Sequence, residues 1–406
     1  MTAGEIGRVG EAPETGIEAT EGSTERAANG WDWAQAEQKI LELTERLVNI
    51  DSGTFDKAGA DRVGGVLADE YRKLGFKVDV QPREERGDNL LITHPYGKEA
   101  DILIVAHMDT VFPKGTVAAR PFSRDKQRAY GPGVMDMKGS QAITLYALKY
   151  LISTGSEEYR RVRLVLNTDE EVGSVHSREL IEQQARLSRY ALIVEPSDDQ
   201  GTLVTGRRGG GKYDLHIRGV AAHSGAEPEK GRSAIADLAH KIVKLHALTD
   251  ASSGVHVNVG IIEGGTSGNT IAPGAFAKID LRMETADQAQ HYDRLIREIA
   301  ATPDVEGTSA ELVGGITRPP TIPSEGSDRL LSIVIEEAAK LGETIGSKHV
   351  GSGSDGNLTS ALGIPTIDGL GPRGGNAHSA DEYLVIGTLV PRTKLLAALI
   401  KRLGKE

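Results

Sequence analysis

The sequence predicts an α/β protein with a second, smaller α+β unit inserted between the two parts of its main sheet. Apolar strand-like runs alternate with amphipathic helices in the first and last parts of the chain, whereas the middle part follows a different order. In addition, the chain has 406 residues, of which 38% are hydrophobic. A chain of this length is longer than a single hydrophobic core normally accommodates. We therefore expect two domains.

The main unit is predicted from the alternating pattern. Ordered structure should begin at Trp31, followed by amphipathic helices at residues 33–50 and 61–74. Strands are predicted at 89–93, 102–106, 163–167, 191–194 and 365–367, and further helices at 139–151, 177–184, 328–341 and 391–403. Strands that alternate with helices in this way indicate an α/β sheet.

Residues 208–318 follow a β-α-β-β-α-β order, which is typical of a ferredoxin-like unit. Its strands are predicted at 212–218, 255–262, 275–283 and 311–316, and its helices at 233–248 and 287–300. The sequence therefore predicts a main domain made of residues 31–207 and 319–406, with this insert between the two parts.

Composition limits the partners that the chain can have. A net charge of -11 argues against nucleic acid, because phosphate binding needs a basic surface. No stretch approaches the roughly 18 apolar residues of a membrane span, so no membrane partner is expected. Residues 1–30 lack the layout of a signal peptide, which predicts a disordered leader and a cytoplasmic protein. Because cysteine is absent, any metal must be held by His, Asp or Glu.

The first candidate site residues follow an apolar strand. The strand ends at His107, and Asp109 comes two residues later. Alternation along a strand places the two side chains on one side, where the carboxylate can orient the imidazole. A histidine at a strand end is also a common structural feature, so this pair alone leaves both interpretations open.

Two acidic segments add to this pattern. Asp136 lies in a glycine-rich loop just before a helix, and residues 169–171 are three acids that follow another apolar strand. Asp136 could instead be a helix N-cap, and acidic runs are often solvated. Dense glycine would, however, let the backbone approach a metal pair, and mutual repulsion of three carboxylates at a strand end favours a bound cation.

A fourth strand ends at Glu195, before Pro196, and a glycine-rich loop near the end of the chain carries His378. Each residue alone could be structural. Four strand ends or adjoining loops that each deliver a histidine or carboxylate, together with a late histidine loop, predict a metal site.

These motifs resemble, in identity and order, those of the dizinc family that includes aminoacylases, succinyl-diaminopimelate desuccinylases and glutamate carboxypeptidases. The strings that carry the resemblance are His107-Met-Asp109-Thr, Gly133-Val-Met-Asp136-Met-Lys-Gly139, Asp169-Glu170-Glu171-Val-Gly-Ser, Val194-Glu195-Pro196 and Ala377-His378-Ser. The resemblance extends from about Trp33 to the C-terminus. It implies a mixed-sheet, zinc-exopeptidase-like catalytic domain, with the insert as a lid and dimerisation domain.

The resemblance also implies the metal ligands. Two Zn²⁺ per subunit are expected, with Mn²⁺ or Co²⁺ as alternatives for the same imidazole and carboxylate ligands. His107 and Glu195 would bind one ion, Glu171 and His378 would bind the other, and Asp136 would bridge both.

The same resemblance implies the catalytic and substrate-binding residues. Asp109 would orient His107, and Glu170 would be the general base. His223 in the insert would support the oxyanion in the active site of the partner subunit of a homodimer. Asn269 and Arg282 would bind the substrate carboxylate. Without the resemblance, His223 would be interpreted as a loop residue and Arg282 as a solvated arginine.

The implied activity is hydrolysis of an amide bond next to a free carboxylate, as in a peptide with a C-terminal glutamate or another N-acyl amino acid. An N-acyl-amino-acid deacylase of the acetylornithine or succinyl-diaminopimelate type is the alternative, because it uses the same metal site. A non-catalytic binding protein on the same fold would require a lost ligand or base, and none is missing.

Overall fold

The computed structural model describes residues 30–95 and 101–406. The helices are α1 Trp33–Val48, α2 Lys57–Lys73, α3 Thr116–Ala119, α4 Gly139–Ser153, α5 Arg178–Arg186, α6 Ala234–His246, α7 Ala286–Ala301, α8 Glu325–Lys340, α9 Gly356–Ala361 and α10 Leu389–Leu403. The expected leader, residues 1–30, lies outside the described residues except for Gly30.

The first eight strands are β1 Lys77–Gln81, β2 Asn89–Thr93, β3 Ile102–His107, β4 Ser123–Arg124, β5 Arg128–Tyr130, β6 Val162–Asn167, β7 Tyr190–Ile193 and β8 Leu203–Arg207. The other eight are β9 Gly209–Arg218, β10 His256–Gly264, β11 Gly274–Met283, β12 Ser309–Arg318, β13 Ser347–Val350, β14 Thr366–Ile367, β15 Gly374–Gly375 and β16 Tyr383–Val385. Among the described residues, no helix is both long and apolar enough to cross a membrane.

The main sheet has the order β1-β2-β6-β3-β7-β14 and mixes parallel with antiparallel pairs. Strand β3 runs parallel to both β6 and β7, so these three strands end at the same edge. Side chains of β3 alternate between two cores: Ile102 and Ile104 join the core under α1, α4 and α10, while Leu103 joins the core under α5 and α9. Burial on both faces explains why this strand is continuously apolar.

The insert folds into a second sheet with the order β10-β11-β9-β12 and antiparallel pairs throughout. This is the strand order of a ferredoxin-like unit, with α6 and α7 packed on one face around a separate core that includes Leu215, Ile279 and Ile296. The predicted α/β class is therefore confirmed. We propose domain limits at residues 207/208 and 318/319, since β8 pairs with β13 of the main unit.

Some predicted elements were misplaced or missed. Helix α2 begins at Lys57 rather than residue 61, because the Asp56 side chain accepts the N–H of Gly59 and caps a first turn that contains glycine. The pair β8–β13 and the small sheet β15-β16-β5-β4 were not predicted. Their strands are two to five residues long, and their pairing depends on contacts between distant parts of the chain.

Candidate metal centre and active site

The shared edge of β3, β6 and β7 places the predicted acids and His107 together. His107 ends β3, the 3₁₀ turn Glu170–Val172 follows β6, and Glu195 follows β7. Parallel strands deliver the residues at their carboxyl ends to one crevice, which explains why segments far apart in the sequence meet here. Potential ligand atoms form two groups, and within each group they lie within 4.8 Å of one another. One group is His107, Glu170 and Glu195, and the other is His107, Asp136 and Glu171.

Asp136 lies at the centre of this cluster. One carboxylate oxygen, Oδ1, lies 3.0 Å from Nε2 of His107, and the other, Oδ2, lies 3.2 Å from Nε2 of His378. Nε2 of His378 is also 3.2 Å from Oε2 of Glu171, whereas Nε2 of His107 is 3.8 Å from Oε1 of Glu195. Asp136 therefore lies between the pair His107–Glu195 and the pair His378–Glu171. It does not cap a helix, since α4 begins at Gly139.

The two histidines differ in exposure. The side chain of His107 is 1% exposed, whereas that of His378 is 54% exposed. His378 has a φ of 65°, in the left-handed region that non-glycine residues seldom adopt. One end of the cluster is therefore closed by the sheet, and the other opens toward solvent.

Glu382 holds the loop that presents Asp136. Its buried carboxylate accepts the backbone N–H groups of Gly133, Met135 and Asp136 at 3.1, 2.9 and 3.1 Å. Burial raises the pKa of Glu382 to about 7, although the three N–H groups oppose this shift. The position of Asp136 thus depends on a residue near the end of the chain.

Asp109 contacts both the histidine and the acidic turn. Nδ1 of His107 lies 2.9 Å from the backbone oxygen of Asp109 and 3.4 Å from its carboxylate. The carboxylate accepts the hydroxyl of Thr54 at 2.6 Å and the N–H of Glu170 at 3.2 Å. Asp109 is therefore placed to orient His107 mainly through its carbonyl, and its carboxylate also positions the residues of the acidic turn.

The charges in the cluster favour a cation. Burial raises the pKa of Glu170 to about 8 and raises those of Glu171 and Glu195 as well. Hydrogen bonding to Asp136 and Glu171 raises the pKa of His378 to about 10. Oε1 of Glu171 is buried and has no hydrogen-bond partner in the part of the chain that the structure describes. An unpartnered carboxylate oxygen among imidazole and carboxylate groups fits a divalent metal, because a cation satisfies groups that repel one another.

Arg318, at the end of β12, contacts Glu170 from the insert side. Its Nη2 lies 2.7 Å from Oε1 of Glu170, and its Nη1 lies 3.3 Å from Oδ1 of Asp355. Asp355 in turn accepts from Asn167, at 2.5 Å, and from Ser174. Arg318 and its neighbours fix the orientation of the Glu170 carboxylate beside His107, Asp136, Glu171, Glu195 and His378, which we call the candidate metal cluster.

A cavity of about 430 Å³ opens between this cluster and the insert; we call it the basic cavity. Its lining includes Glu170, Glu171 and His378 on one side and Arg208, Lys212, Arg282 and Arg318 on the other. Arg282 donates to Asp280 at 2.8 and 3.1 Å, and Arg208 pairs with Glu284. Lys212 forms no ion pair within residues 30–95 and 101–406, so its ammonium is available to an anionic ligand.

The structure does not bring every predicted site residue to the cluster. His223 and Asn269 lie beside each other in the insert, where the N–H of Ser224 donates to the carbonyl of Asn269 at 3.0 Å, and His223 is exposed. Neither residue lines the basic cavity of its own chain. Arg282 does line it, but its guanidinium is already paired.

Sequence reasoning missed Lys212, Arg318 and Glu382 as functional residues. Lys212 and Arg318 are two of 47 basic residues, and no motif separates them from the others. Glu382 lies four residues after His378, and this proximity was the one available signal for it.

Comparison with known proteins agrees with the site. The profile of "Peptidase family M20/M25/M40" matches residues 103–402. Carboxypeptidase G2 of Pseudomonas sp. (strain RS-16) is 32% identical over 90% of this chain and 89% of that protein. Succinyl-diaminopimelate desuccinylase of Stenotrophomonas maltophilia (strain R551-3) is 27% identical over 90% of this chain and 99% of that protein.

Solved structures share the fold. Aminopeptidase PepT from Bacillus cereus has a TM-score of 0.72 at 23% identity, and the match covers 90% of this chain and 98% of that one. The YXEP protein of Bacillus subtilis, described as a dinuclear metal binding peptidase, has a TM-score of 0.64 at 17% identity, covering 92% and 99%. Fold and sequence relatives together define a hydrolase of the metallopeptidase class. Within that class, the chain belongs to peptidase family M20/M25/M40. The resemblance inferred from the motifs is confirmed.

Proposed function

We propose that this protein is a zinc-dependent carboxypeptidase or amidohydrolase that cleaves an amide bond next to a free carboxylate, such as that of a C-terminal glutamate. The observation that carries this proposal is the basic cavity, which is lined both by the acids Glu170 and Glu171 and by Lys212, a lysine without an ion pair among the described residues. A substrate carboxylate bound by Lys212 would place the adjacent amide bond toward Glu170 and Glu171. Arg282 would also contact the substrate carboxylate if that carboxylate replaced Asp280 as its partner, or bound the guanidinium together with Asp280.

We propose that two Zn²⁺ bind each subunit, with Mn²⁺ or Co²⁺ as alternatives. His107 and Glu195 would hold one ion, Glu171 and His378 the other, and Asp136 both, in keeping with its two oxygens facing different histidines. When bound, the ions supply Lewis acidity that activates water and polarises a carbonyl. Glu170 would accept a proton from the attacking water and return it to the leaving amine. Asp109 would keep His107 oriented.

We propose a homodimer formed through the insert. Strand β10 is an edge of its sheet, and Ile262 on β10 and Val243 on α6 are 60% and 71% exposed. His223 has the hydrogen bonding expected of an oxyanion donor: its Nδ1 accepts the N–H groups of Gly225 and Ala226, both at 3.1 Å. In the neutral ring, the proton is then on Nε2, which is free to donate to the partner's substrate. Asn269, beside His223, would contact the same substrate.

The alternative activity is N-acyl-amino-acid deacylation of the acetylornithine or succinyl-diaminopimelate type. It is supported by the 27% identical desuccinylase and uses the same metal ligands. In both activities the substrate carries a carboxylate and hydrolysis releases an amino acid and an acyl acid, so the two activities are separated by the substrate that the enzyme prefers. A screen that compares glutamate release from acyl-glutamates with acetate release from other acetyl-amino acids distinguishes the two.

The dependence on a substrate carboxylate is the direct test of the proposed function. An N-acyl-glutamate should be hydrolysed with a kcat/KM about 10- to 100-fold above that of its α-carboxamide, because a charge-assisted contact is lost in the amide. Lys212→Met should reduce this discrimination. Lys278→Met is the matched control, since Lys278 lies on β11, outside the basic cavity, and pairs with Asp214. Equal hydrolysis of acid and amide by the unmodified enzyme would exclude the proposal.

The bridging role of Asp136 predicts a specific metal stoichiometry. Asp136→Ala should lower the occupancy of both sites together, because it removes the one ligand that they share. His378→Ala should mainly empty one site. Elemental analysis after dialysis against limiting zinc measures both results, with Asp214→Ala, a carboxylate of the insert that pairs with Lys278, as the control. An unchanged stoichiometry in Asp136→Ala would rule out the bridge.

A further inference from the structure

A second cavity, of about 540 Å³, is also lined by Glu171, and we call it the apolar cavity. Its walls are residues 53–56, at the start of α2, and residues 110–114, after β3. Because Glu171 lines both cavities, a substrate that extends from the basic cavity past the candidate metal cluster would enter this second one.

The walls of the apolar cavity are fixed to the active site. The N–H of Thr54 donates to the carbonyl of Thr110 at 3.1 Å, and the Thr54 hydroxyl donates to the carboxylate of Asp109 at 2.6 Å. A Cβ on Gly53 would lie 2.2 Å from the carbonyl oxygen of Phe112, so only glycine allows the two wall segments to approach this closely. The cavity therefore has a defined position relative to Glu170 and the proposed metal ligands.

Apolar side chains in this cavity are unusually open to solvent. Phe55 is 74% exposed and Val111 is 41% exposed, and Phe112, Pro113 and Val172 also line the cavity. The guanidinium of Arg86 lies 4.5 Å from the centre of the Phe55 ring. Covering these side chains with an apolar ligand would be favourable, because it removes their surface from water.

The charges lining the apolar cavity differ from those of the basic cavity. Nζ of Lys114 lies 3.7 Å from Oδ1 of Asp56, so the lysine has a carboxylate neighbour. The remaining charged lining group is Glu171, which belongs to the candidate metal cluster. Among the described residues that line the cavity, Lys114 is the one cation; the guanidinium groups of Arg86 and Arg120 stack on Phe55 and Phe112 but do not line it. A carboxylate placed here would also be near Asp56.

We propose that the apolar cavity binds the acyl side of the substrate and selects a large, uncharged apolar group, aromatic or branched, over acetyl or succinyl. This inference rests on the proposed function and extends it to the other side of the scissile bond. The leaving amino acid would occupy the basic cavity, and the amide would lie beside Glu170 and Glu171. Phe55 and Val111 would determine acyl specificity.

The test compares N-phenylacetyl-, N-acetyl- and N-succinyl-glutamate, which share one leaving group. The kcat/KM for phenylacetyl-glutamate should exceed that for acetyl-glutamate by about 10- to 100-fold, and succinyl-glutamate should be the poorest of the three. Phe55→Ala should reduce the phenylacetyl-to-acetyl ratio about tenfold. Leu187→Ala removes a side chain that is 62% exposed but outside the cavity, and it should leave the ratio unchanged.

A binding measurement separates failure of this inference from failure of the proposed function. Zinc-loaded Glu170→Gln protein should bind phenylacetyl-glutamate about tenfold more tightly than acetyl-glutamate by calorimetry, and adding Phe55→Ala should remove the difference. Hydrolysis of all three compounds at equal rates would overturn the acyl selectivity and leave the hydrolase intact. Absence of any hydrolysis would count against the proposed function, and the calorimetric comparison would then decide on the cavity: equal affinities overturn it.

Discussion

Glu170→Gln is expected to lower kcat about 10²- to 10⁴-fold while leaving the metal content unchanged. The amide retains the shape of the side chain but cannot accept the proton of the attacking water. Glu170 lies within 4.8 Å of potential ligand atoms of His107 and Glu195, and its carboxylate is oriented by Arg318 at 2.7 Å. Steady-state kinetics on an N-acyl-glutamate, together with elemental analysis of the same preparation, measures both parts of the prediction.

The control for this variant is Glu179→Gln, on α5. Glu179 is exposed and accepts from Gln183 at 3.0 Å, away from the cluster, so its loss should change neither kcat nor metal content. Near-normal turnover by Glu170→Gln at full metal occupancy would mean that another residue is the base. Loss of metal in this variant would instead show that Glu170 is a metal ligand. Its position allows this role, because Glu170 forms one group of potential ligands with His107 and Glu195.

The second large effect is expected at His223. His223→Ala and Glu170→Gln should each be nearly inactive, and mixing them under conditions that exchange subunits should restore activity. In a mixed dimer, one active site would combine an intact Glu170 with the partner's intact His223, whereas the other site would lack both. Each mixed dimer should therefore approach half the wild-type rate, provided that loss of the donor costs about 10²- to 10³-fold.

The structure supports this arrangement because His223 is exposed and does not line the basic cavity of its own chain. Mixing His223→Ala with a His223→Ala, Glu170→Gln double variant is the matched control, because neither subunit then supplies the histidine. Exchange should be verified with differently tagged subunits. If tagged mixed dimers form and remain inactive, His223 acts within its own subunit or is an ordinary loop residue.

Much of the fold could be predicted from sequence because its elements carry local patterns. The continuously apolar β3 is buried on both faces, and the order of elements in the insert matches the observed sheet. The candidate ligands were predictable for a related reason. His107 and Glu195 occur at or just after the ends of apolar strands, and parallel strands bring their carboxyl ends to one edge.

The sequence by itself determined the α/β class, the ferredoxin-like insert, the family and the residues that could hold metals, because each depends on short contiguous motifs. Tertiary structure alone decided that Glu382 holds the Asp136 loop, across 246 positions of chain, and that Arg318 contacts Glu170 across 148. It also decided that Lys212 forms no ion pair among the described residues. Which charges neutralise one another depends on distances between folded segments, and no local pattern in the sequence encodes those distances.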